Sequence, residues 1–368
     1  MSKKIRAIGG ILVAALWLGL TGFAWFGGST EISETERRPL EQFPEITGES
    51  LLKGDFMTDF ESYTLDQFPM RDSFRTLKSL FSFYAMQHKD NNGIYLQDGY
   101  AAKLEYPLNE ESVNHGMDVV NSIYDKYLKD SGSAVFAAVI PDKGYYLAEA
   151  NGYPAMDYEK MFSLVQERMP FATHIDLTDS LNVTDYYYTD THWRQEKLLP
   201  VAGKLSAALG VTAPKAEDYT VKAVERPFYG VYYGQAALPM SAETLYLMES
   251  DVLAQCKVLD HETGKYLQVY EPSMLESRDL YEIYLSGSKS LLTIENPNAT
   301  TDRELIIFRD SFGSSIAPLL VGDYKTVTLV DIRYINTTVL GNFVEFHGQD
   351  VLFLYSTLVL NSDTQRMR

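Results

Sequence analysis

The sequence is poor in cysteine. It contains a single cysteine, Cys256, among 368 residues. One thiol cannot form a disulfide within the chain, and cysteine-based zinc sites need several thiols at close spacing. The sequence therefore excludes an internal disulfide framework and offers no zinc-binding cysteine motif.

Familiar signatures of cofactor and metal chemistry are also absent. The chain has no HisGluxxHis sequence, and no phosphate-binding loop or GlyxGlyxxGly sequence precedes a helical pattern. We therefore expect neither a metal nor a cofactor. Five of the six histidines lie in no motif and are interpreted as surface or loop residues: His88, His115, His174, His261 and His347.

Positive charge is scarce relative to negative charge. The chain carries 32 Lys and Arg against 50 Asp and Glu, which gives a formal net charge of −18. Because so acidic a surface repels phosphate backbones, we expect no nucleic-acid partner. Apolar residues make up 45% of the chain and charged residues 22%, a balance that is typical of folded proteins and excludes wholesale disorder.

Charged side chains are missing from residues 7–30, and Lys3, Lys4 and Arg6 precede this stretch. About 20 apolar residues in a helix can cross the ~30 Å core of a bilayer. The pattern predicts a transmembrane helix within residues 1–30 of a single-pass protein of the cell membrane. Its N-terminus would be cytoplasmic and the rest extracytoplasmic. A cleaved signal peptide or a buried helix would explain the same pattern.

The remaining chain divides into two predicted regions. Residues 31–107 combine a polar stalk with helical patterns and a hairpin signal. Residues 108–368 alternate apolar strand patterns with helical ones, which predicts an α/β fold with a mainly parallel sheet covered by helices on both faces. Short, tyrosine-rich strand patterns interrupt this alternation at about 214–300, and we interpret that stretch as a β-rich insertion.

One candidate reactive residue is Ser311, in the sequence ArgAspSerPheGlySerSer (309–315). It follows an apolar strand pattern directly, and active residues of such sheets gather at the carboxyl ends of the strands. The serine hydroxyl there is suited to nucleophilic attack, and backbone N–H groups at the turn, including its own, are suited to hold an oxyanion. A helix cap explains the same Asp-Ser pair.

A second candidate motif is AspThrHisTrp (190–193). In an extended segment, residues i and i+2 point the same way, so Asp190 and His192 can share one face. The carboxylate would then accept a hydrogen bond from one imidazole nitrogen and leave the other free as a base. Serine needs such a base because its hydroxyl is almost never ionised at neutral pH. A capping aspartate and a surface histidine explain the motif equally well.

Five stretches of the chain form an ordered set of motifs: GluArgArgProLeuGluGlnPhePro (36–44), PheProMetArgAsp (68–72), ProAspLys (141–143), AspThrHisTrp (190–193) and the stretch 306–320 with ValAspIleArgTyr (330–334). In content and order these motifs resemble the DHHW family of extracytoplasmic proteins. The core of that family is similar to the SGNH-hydrolase-like domain of the alginate O-acetyltransferases AlgJ and AlgX. The resemblance implies a three-layer, flavodoxin-like α/β fold.

The resemblance also implies roles for the two candidate motifs. Asp190 would orient the imidazole, His192 would act as the base and Ser311 as the nucleophile. One position departs from the family pattern, because Thr191 stands where the family name places a histidine. By the i, i+2 argument this side chain points away from Ser311, so we expect its replacement to leave catalysis intact.

Other residues are weaker candidates for binding substrate or the oxyanion. The resemblance implies that Arg333 and Tyr334 contact substrate, although a salt bridge to a nearby aspartate explains the arginine equally well. Lys143 follows a buried strand and either contacts a carboxylate or neutralises the aspartate before it. Tyr355 ends the last strand and is predicted to face the crevice. The amide of Gly313 is predicted as an oxyanion donor.

These observations favour a surface-facing O-acetyltransferase that moves an acetyl group to an exported or cell-surface polysaccharide. As in the alginate system, a membrane-bound O-acyltransferase partner would deliver the acetyl group. Two alternatives stay open at this point. The same triad would serve a carbohydrate esterase, and the acidic, tyrosine-rich body also suits a non-catalytic glycan-binding or assembly protein.

Overall fold

The computed structural model describes residues 3–26, 28–364 and 367. These residues fall into two compact units. The first comprises Met1–Asn92 and Tyr233–Met240, and the second comprises Gly93–Tyr232 and Ser241–Arg368. The predicted region boundaries at residues 30 and 107 stay predictions.

Helices and strands alternate along much of the second unit. The α-helices of the described residues are α1 (Lys3–Phe26), α2 (Gly48–Lys53), α3 (Asp55–Asp66), α4 (Arg71–Leu80), α5 (Glu110–Ile123), α6 (Lys143–Leu147), α7 (Tyr158–Arg168), α8 (Leu199–Leu209), α9 (Val231–Ala236), α10 (Asp251–Gln255), α11 (Gly313–Ile316) and α12 (Thr357–Leu360). The strands are β1 (Ile32–Ser33), β2 (Arg38–Pro39), β3 (Asp90–Asn91), β4 (Ile94–Gln97), β5 (Tyr100–Lys103), β6 (Ala134–Ile140), β7 (Thr173–His174), β8 (Thr220–Ala223), β9 (Tyr246–Glu249), β10 (Lys257–Asp260), β11 (Lys265–Leu267), β12 (Leu291–Glu295), β13 (Glu304–Arg309), β14 (Thr326–Val330) and β15 (Asp350–Ser356).

The prediction of a membrane-spanning segment is corrected by the helices themselves. Within the described part of the chain, none of them combines the length and the apolar character that crossing a bilayer requires. This finding contradicts the transmembrane helix predicted in residues 1–30. It also contradicts the predicted single-pass location in the cell membrane.

Ion pairs join two of the sequence motifs within the first unit. Arg38 donates to both carboxylate oxygens of Asp66, at 2.7 and 2.6 Å. Arg71, from the motif at 68–72, lies 2.5 Å from the carboxylate of Glu36. These side chains are half-buried or buried, and each charge has a partner of opposite sign, which buried charges require.

An eight-stranded sheet forms the centre of the second unit, in the spatial order β11-β10-β12-β14-β13-β15-β6-β7. Strands β14, β13, β15, β6 and β7 pair in parallel. Strands β12, β10 and β11 extend this sheet in antiparallel fashion. The predicted α/β fold with a mainly parallel sheet is confirmed, and the stretch at 214–300 contributes the antiparallel edge.

Helices cover both faces of this sheet because its central strands are apolar on both sides. Leu305 and Ile307 of β13 belong to a buried cluster that includes α8. Ile306 and Phe308 belong to a second cluster that includes α5 and α7. The carboxyl ends of the parallel strands meet at one edge, so the residues that follow β6, β13, β14 and β15 come together there.

Candidate active site

Ser311 lies in the tight turn between β13 and α11. The preceding residue, Asp310, is buried, and its carboxylate accepts hydrogen bonds from the backbone N–H groups of Phe312 (3.0 Å) and Ser356 (2.7 Å). Asp310 therefore caps the turn and ties it to the end of β15. Because the aspartate does the capping, the hydroxyl of Ser311 is available for another partner.

That partner is His192, which lies 119 positions earlier in the chain. The distance between His192 Nε2 and Ser311 Oγ is 2.8 Å, and His192 Nδ1 lies 2.6 Å from Asp190 Oδ1. An ionised carboxylate only accepts hydrogen bonds, so the imidazole proton resides on Nδ1 and Nε2 faces the serine as an acceptor. The structure thus brings together the three residues that the sequence predicted.

Asp190 is held from several directions. Besides the imidazole, its carboxylate accepts hydrogen bonds from the backbone N–H groups of His192 (3.0 Å) and Val231 (2.9 Å). Gly230 packs directly on its backbone, where an added Cβ would lie 2.2 Å from the Asp190 Cα atom. Only glycine fits at position 230. Neither Gly230 nor Val231 could be predicted from the sequence, because both lie about forty residues from Asp190 and belong to no motif.

Trp193 connects the histidine loop to the helix after the serine. Its indole Nε1 donates to the Oγ atom of Ser315 at 2.9 Å and to the carbonyl oxygen of Phe312 at 3.2 Å. The indole is fully buried. The tryptophan of the motif therefore fixes the distance between the loop that carries the base and the turn that carries Ser311.

Tyr281 is a further residue of the site, and no sequence motif contains it. Its ring stacks on the imidazole of His192, and its hydroxyl lies 2.7 Å from Ser315 Oγ. Burial raises the pKa of Tyr281 well above its ordinary value, so the phenol stays neutral. The chain contains 26 tyrosines, and no local pattern distinguishes this one.

This arrangement lies inside the region that matches a known family. Residues 158–330 match the family model described as DHHW protein, and this range includes Asp190, His192 and Ser311. The resemblance to the DHHW family is confirmed. The comparison with curated proteins finds no match.

Two solved structures with a TM-score of 0.59 share the fold of this chain over 75% of its length, and a third is less similar. A DHHW family protein from Eubacterium siraeum is 20% identical with a TM-score of 0.59, covering 75% of this chain and 94% of the other. Bacillus cereus PatB1 with a sulfonyl adduct is 18% identical with a TM-score of 0.59, covering 75% and 98%. The O-acetyltransferase domain of Pseudomonas putida AlgJ is 13% identical with a TM-score of 0.46, covering 74% and 93%.

Thr191 occupies the position where the DHHW name has a histidine. Its hydroxyl accepts a hydrogen bond from the Tyr232 hydroxyl at 3.2 Å, whereas the neighbouring His192 reaches Ser311. The threonine thus contacts the insertion and is not part of the hydrogen-bonded series from Asp190 to Ser311.

The two predicted oxyanion donors differ in their partners. The N–H of Gly313 donates to the carbonyl of Asp310 at 3.0 Å, so it is engaged in the turn. An added Cβ at Gly313 would lie 2.6 Å from the Cβ of Arg309, so the glycine serves close packing. The N–H of Ser311 has no acceptor within the described residues and is the better candidate for an oxyanion donor.

Arg333 is engaged in an ion pair. Its Nε and terminal nitrogen donate to the two carboxylate oxygens of Asp331 at 2.8 and 2.6 Å. Its guanidinium also lies over the ring of Tyr334, 5.3 Å from the centroid, and that ring is 56% exposed. Tyr355 is buried, and its hydroxyl has no hydrogen-bond partner among the residues that the structure describes. Of these candidates, only Tyr334 presents a large exposed surface.

Lys143 is buried directly after β6. Its ammonium group donates to the backbone carbonyls of Ala101, Tyr187 and Tyr188, the last two at 2.9 and 3.4 Å. Burial lowers the pKa of Lys143 to about 7. Its hydrogen bonds go to backbone carbonyls, two of them in the loop that leads to Asp190, and the charge of Asp142 also faces its ammonium group. Within the described residues, no group of three or more His, Cys, Asp or Glu side chains could hold a metal ion.

Proposed function

We propose that this protein is an O-acetyltransferase that moves an acetyl group to a polysaccharide hydroxyl through an acyl-enzyme on Ser311. The observation that carries the proposal is the contact of 2.8 Å between Ser311 Oγ and His192 Nε2, with Asp190 on the other imidazole nitrogen. The resemblance of the sequence to alginate O-acetyltransferases supports the choice of an acetyl group and a glycan acceptor.

The first half-reaction forms the acyl-enzyme. Ser311 Oγ attacks the acetyl carbonyl of a donor ester while His192 Nε2 takes the hydroxyl proton. The negative charge that develops on the carbonyl oxygen is stabilised by the Ser311 N–H. Asp190 stabilises the imidazolium, which then protonates the departing alcohol as the donor ester bond breaks.

The second half-reaction transfers the acetyl group. A sugar hydroxyl replaces the departed alcohol, and His192 Nε2 removes its proton as the oxygen attacks the acyl carbon. The bond to Ser311 Oγ breaks, and the serine regains its proton from the imidazolium. If water takes the place of the sugar, the same steps hydrolyse the ester, so the acceptor alone separates a transferase from an esterase.

One further observation bears on the nucleophile. The PatB1 structure contains a sulfonyl adduct, and sulfonyl groups attach covalently to activated nucleophiles. We therefore expect Ser311 to react with a sulfonyl fluoride. A membrane-bound O-acyltransferase that supplies the acetyl group, as the resemblance implies, belongs to the same proposal.

The test uses the full chain, p-nitrophenyl acetate as donor and mixed bacterial polysaccharides as acceptors. We expect release of nitrophenol and gain of acetyl groups on a polysaccharide, and we expect both to fall by ~10³-fold or more in the Ser311→Ala variant. Retention of the full rate in that variant contradicts the proposal. Hydrolysis of the donor without any acetylated polysaccharide supports the esterase. No turnover in the unmodified protein, together with the same glycan affinity in Ser311→Ala, supports a binding protein.

A further inference from the structure

The loop that carries Asp190 and His192 is held at its tip by two oppositely charged side chains. The loop is closed by backbone hydrogen bonds from Tyr187 N to His192 O (3.1 Å) and from Arg194 N to Asp185 O (2.7 Å). We call Tyr187–Thr189 the loop tip: it begins at the inner of these two bonds and ends immediately before Asp190. Its position decides where the aspartate and the imidazole stand relative to Ser311.

Lys143 holds the carbonyl side of this tip. Its ammonium group donates to the carbonyl oxygens of Tyr187 and Tyr188 at 2.9 and 3.4 Å, and also to that of Ala101. The lysine is placed by β6 and by the start of α6, where the Asp142 side chain caps the helix. The lysine is therefore the first residue of a capped helix, three residues after a strand that is paired on both of its sides.

Glu243 holds the N–H side of the same tip. Its carboxylate oxygens accept from the backbone N–H groups of Tyr188 and Thr189, both at 2.7 Å, and from the Thr189 hydroxyl at 2.6 Å. The glutamate is fixed in turn by a reciprocal pair of backbone hydrogen bonds with Phe228 (2.9 and 2.8 Å). Three donors on one carboxylate leave little freedom to the tip.

Fold stability alone does not account for the lysine. Lys143 is 2% exposed, and the hydrogen-bond acceptors of its ammonium group are three backbone carbonyls. A buried charge of this kind is costly, and apolar side chains of similar size often replace such groups without loss of stability. The lysine is best explained by what it holds, which is the backbone next to Asp190.

We propose that Lys143 and Glu243 are positioning residues. They hold the loop tip from opposite sides and keep His192 at hydrogen-bonding distance from Asp190 and from Ser311. The inference rests on the proposed function in one respect, because it holds that the two contacts serve the activation of Ser311. Displacement of a catalytic group by about 1 Å can lower a rate by ~10²-fold, so a loosened tip should be visible in the reactivity of Ser311.

The test measures the rate at which phenylmethanesulfonyl fluoride modifies Ser311 in the full chain, followed by intact-mass spectrometry. Lys143→Met removes the donors and keeps the chain length, and Glu243→Gln places an amide N–H group against N–H donors of the tip. We expect each variant to react about 10- to 100-fold more slowly than the unmodified protein.

Control variants with the same types of hydrogen bond are available elsewhere in the chain. Lys126 also donates to a backbone carbonyl, that of Thr338 at 2.8 Å. Glu271 likewise accepts from two backbone N–H groups and one hydroxyl, those of Gln268 and Ser273. We expect Lys126→Met and Glu271→Gln to leave the sulfonylation rate within about twofold, since neither side chain touches the loop.

A second background separates positioning from general damage to the fold. In His192→Ala protein the base is gone, so Lys143→Met and Glu243→Gln should change the residual rate by less than about twofold. An equal loss in both backgrounds overturns the proposal, as does a normal rate in both variants. If Lys143→Met fails to fold, the result for Glu243→Gln decides. Lys143→Arg keeps the charge and the donors, so it should retain part of the sulfonylation rate of the unmodified protein.

A spectroscopic readout keeps this test independent of the proposed function. The proton on His192 Nδ1, shared with Asp190 over 2.6 Å, should give a downfield proton resonance in histidine-labelled protein. We expect that resonance in the unmodified protein and in Lys126→Met, and its loss or broadening in Lys143→Met and Glu243→Gln. If Ser311 never reacts, the proposed function fails, and an unchanged resonance in both variants separately overturns the positioning role.

Discussion

The phenol ring of Tyr281 lies face to face with the imidazole of His192, with the ring centroids 3.8 Å apart and the planes within 8° of parallel. The Tyr281 hydroxyl is fixed by Ser315, which also accepts a hydrogen bond from Trp193. The imidazole is therefore fixed at its edge by Asp190 and on its face by a ring that is itself anchored. This packing gives the base a single orientation toward Ser311.

Loss of the stacked ring should reduce catalysis. Aromatic pairs contribute ~0.5–1.5 kcal/mol beyond the area that they bury, which corresponds to a fall of about 2- to 12-fold in kcat for Tyr281→Leu. Tyr281→Phe keeps the ring and loses only the hydrogen bond to Ser315, so kcat should stay within about twofold. Steady-state hydrolysis of p-nitrophenyl acetate gives kcat for both variants. Equal kcat values in the two would show that the stacked ring does not contribute to catalysis.

A side chain at Gly230 should displace Asp190. An added Cβ would lie 2.2 Å from the Asp190 Cα atom, so Gly230→Ala forces the backbone to move and should cost ~1–3 kcal/mol of stability. We also expect ester hydrolysis to fall at least tenfold.

Gly203 provides the control for that substitution. It lies inside α8 with no atom within 4 Å of an added Cβ, so Gly203→Ala should raise stability by ~0.5–1 kcal/mol and leave the rate unchanged. Thermal unfolding and ester hydrolysis are measured on both variants. Similar behaviour of the two alanines would contradict the role given to Gly230.

Replacement of Thr191 should have little effect on chemistry. Its hydroxyl meets that of Tyr232 and takes no part in the contacts from Asp190 to Ser311. We therefore expect Thr191→Val to keep kcat within about twofold and to lower stability by ~0.5–1.5 kcal/mol, the usual contribution of one hydrogen bond. A large fall in kcat with unchanged stability would assign Thr191 a direct role in catalysis.

The buried Lys143 should make stability depend on pH in a defined window. Burial lowers its pKa to about 7, whereas an unfolded lysine has a pKa of ~10.4. Between these values the unfolded chain binds about one more proton, so the free energy of unfolding rises with pH by ~1.4 kcal/mol per unit from this group. The destabilisation that burial of Lys143 causes is therefore full below pH ~7 and absent above pH ~10.4.

Lys143→Met should remove this contribution. The groups whose charges face the ammonium and oppose the effect of burial are Asp190, Glu243 and Asp142, and the rings of Tyr100 and Tyr232 also lie against it. The free energy of unfolding, measured at several pH values between 7 and 10, should rise less steeply with pH in the variant. The difference in slope should correspond to about one proton. Equal slopes would mean that the lysine stays charged throughout this range.

The part of the site that the sequence predicts is the part with local patterns. Ser311 follows a continuous apolar strand, and Asp190 and His192 are two residues apart, so a turn and an extended segment place each of them. The sheet itself follows from the same apolar runs. These features depend on neighbours in the chain, and for that reason the amino-acid order alone predicts them.

The surrounding residues could not be predicted in this way. Tyr281, Gly230 and Glu243 act through contacts with residues that are about forty to ninety positions away, and nothing in their own neighbourhoods marks them. Arg333 shows the opposite case, since its type suggested substrate binding and its actual partner is Asp331. The transmembrane prediction rested on the absence of charge in residues 7–30, and the described helices do not support it.

The most direct test of the account is a search for an acetyl group on the peptide that contains Ser311. The full chain is incubated with p-nitrophenyl acetate, quenched in acid and digested, and the peptide is sequenced by mass spectrometry. Ser314 is a matched control, because it is a buried serine in the same peptide. We expect an acetyl adduct on Ser311 in the unmodified protein and in Ser314→Ala, and none in Ser311→Ala. Turnover with no adduct on Ser311, or an adduct on another residue that persists in Ser311→Ala, would contradict it.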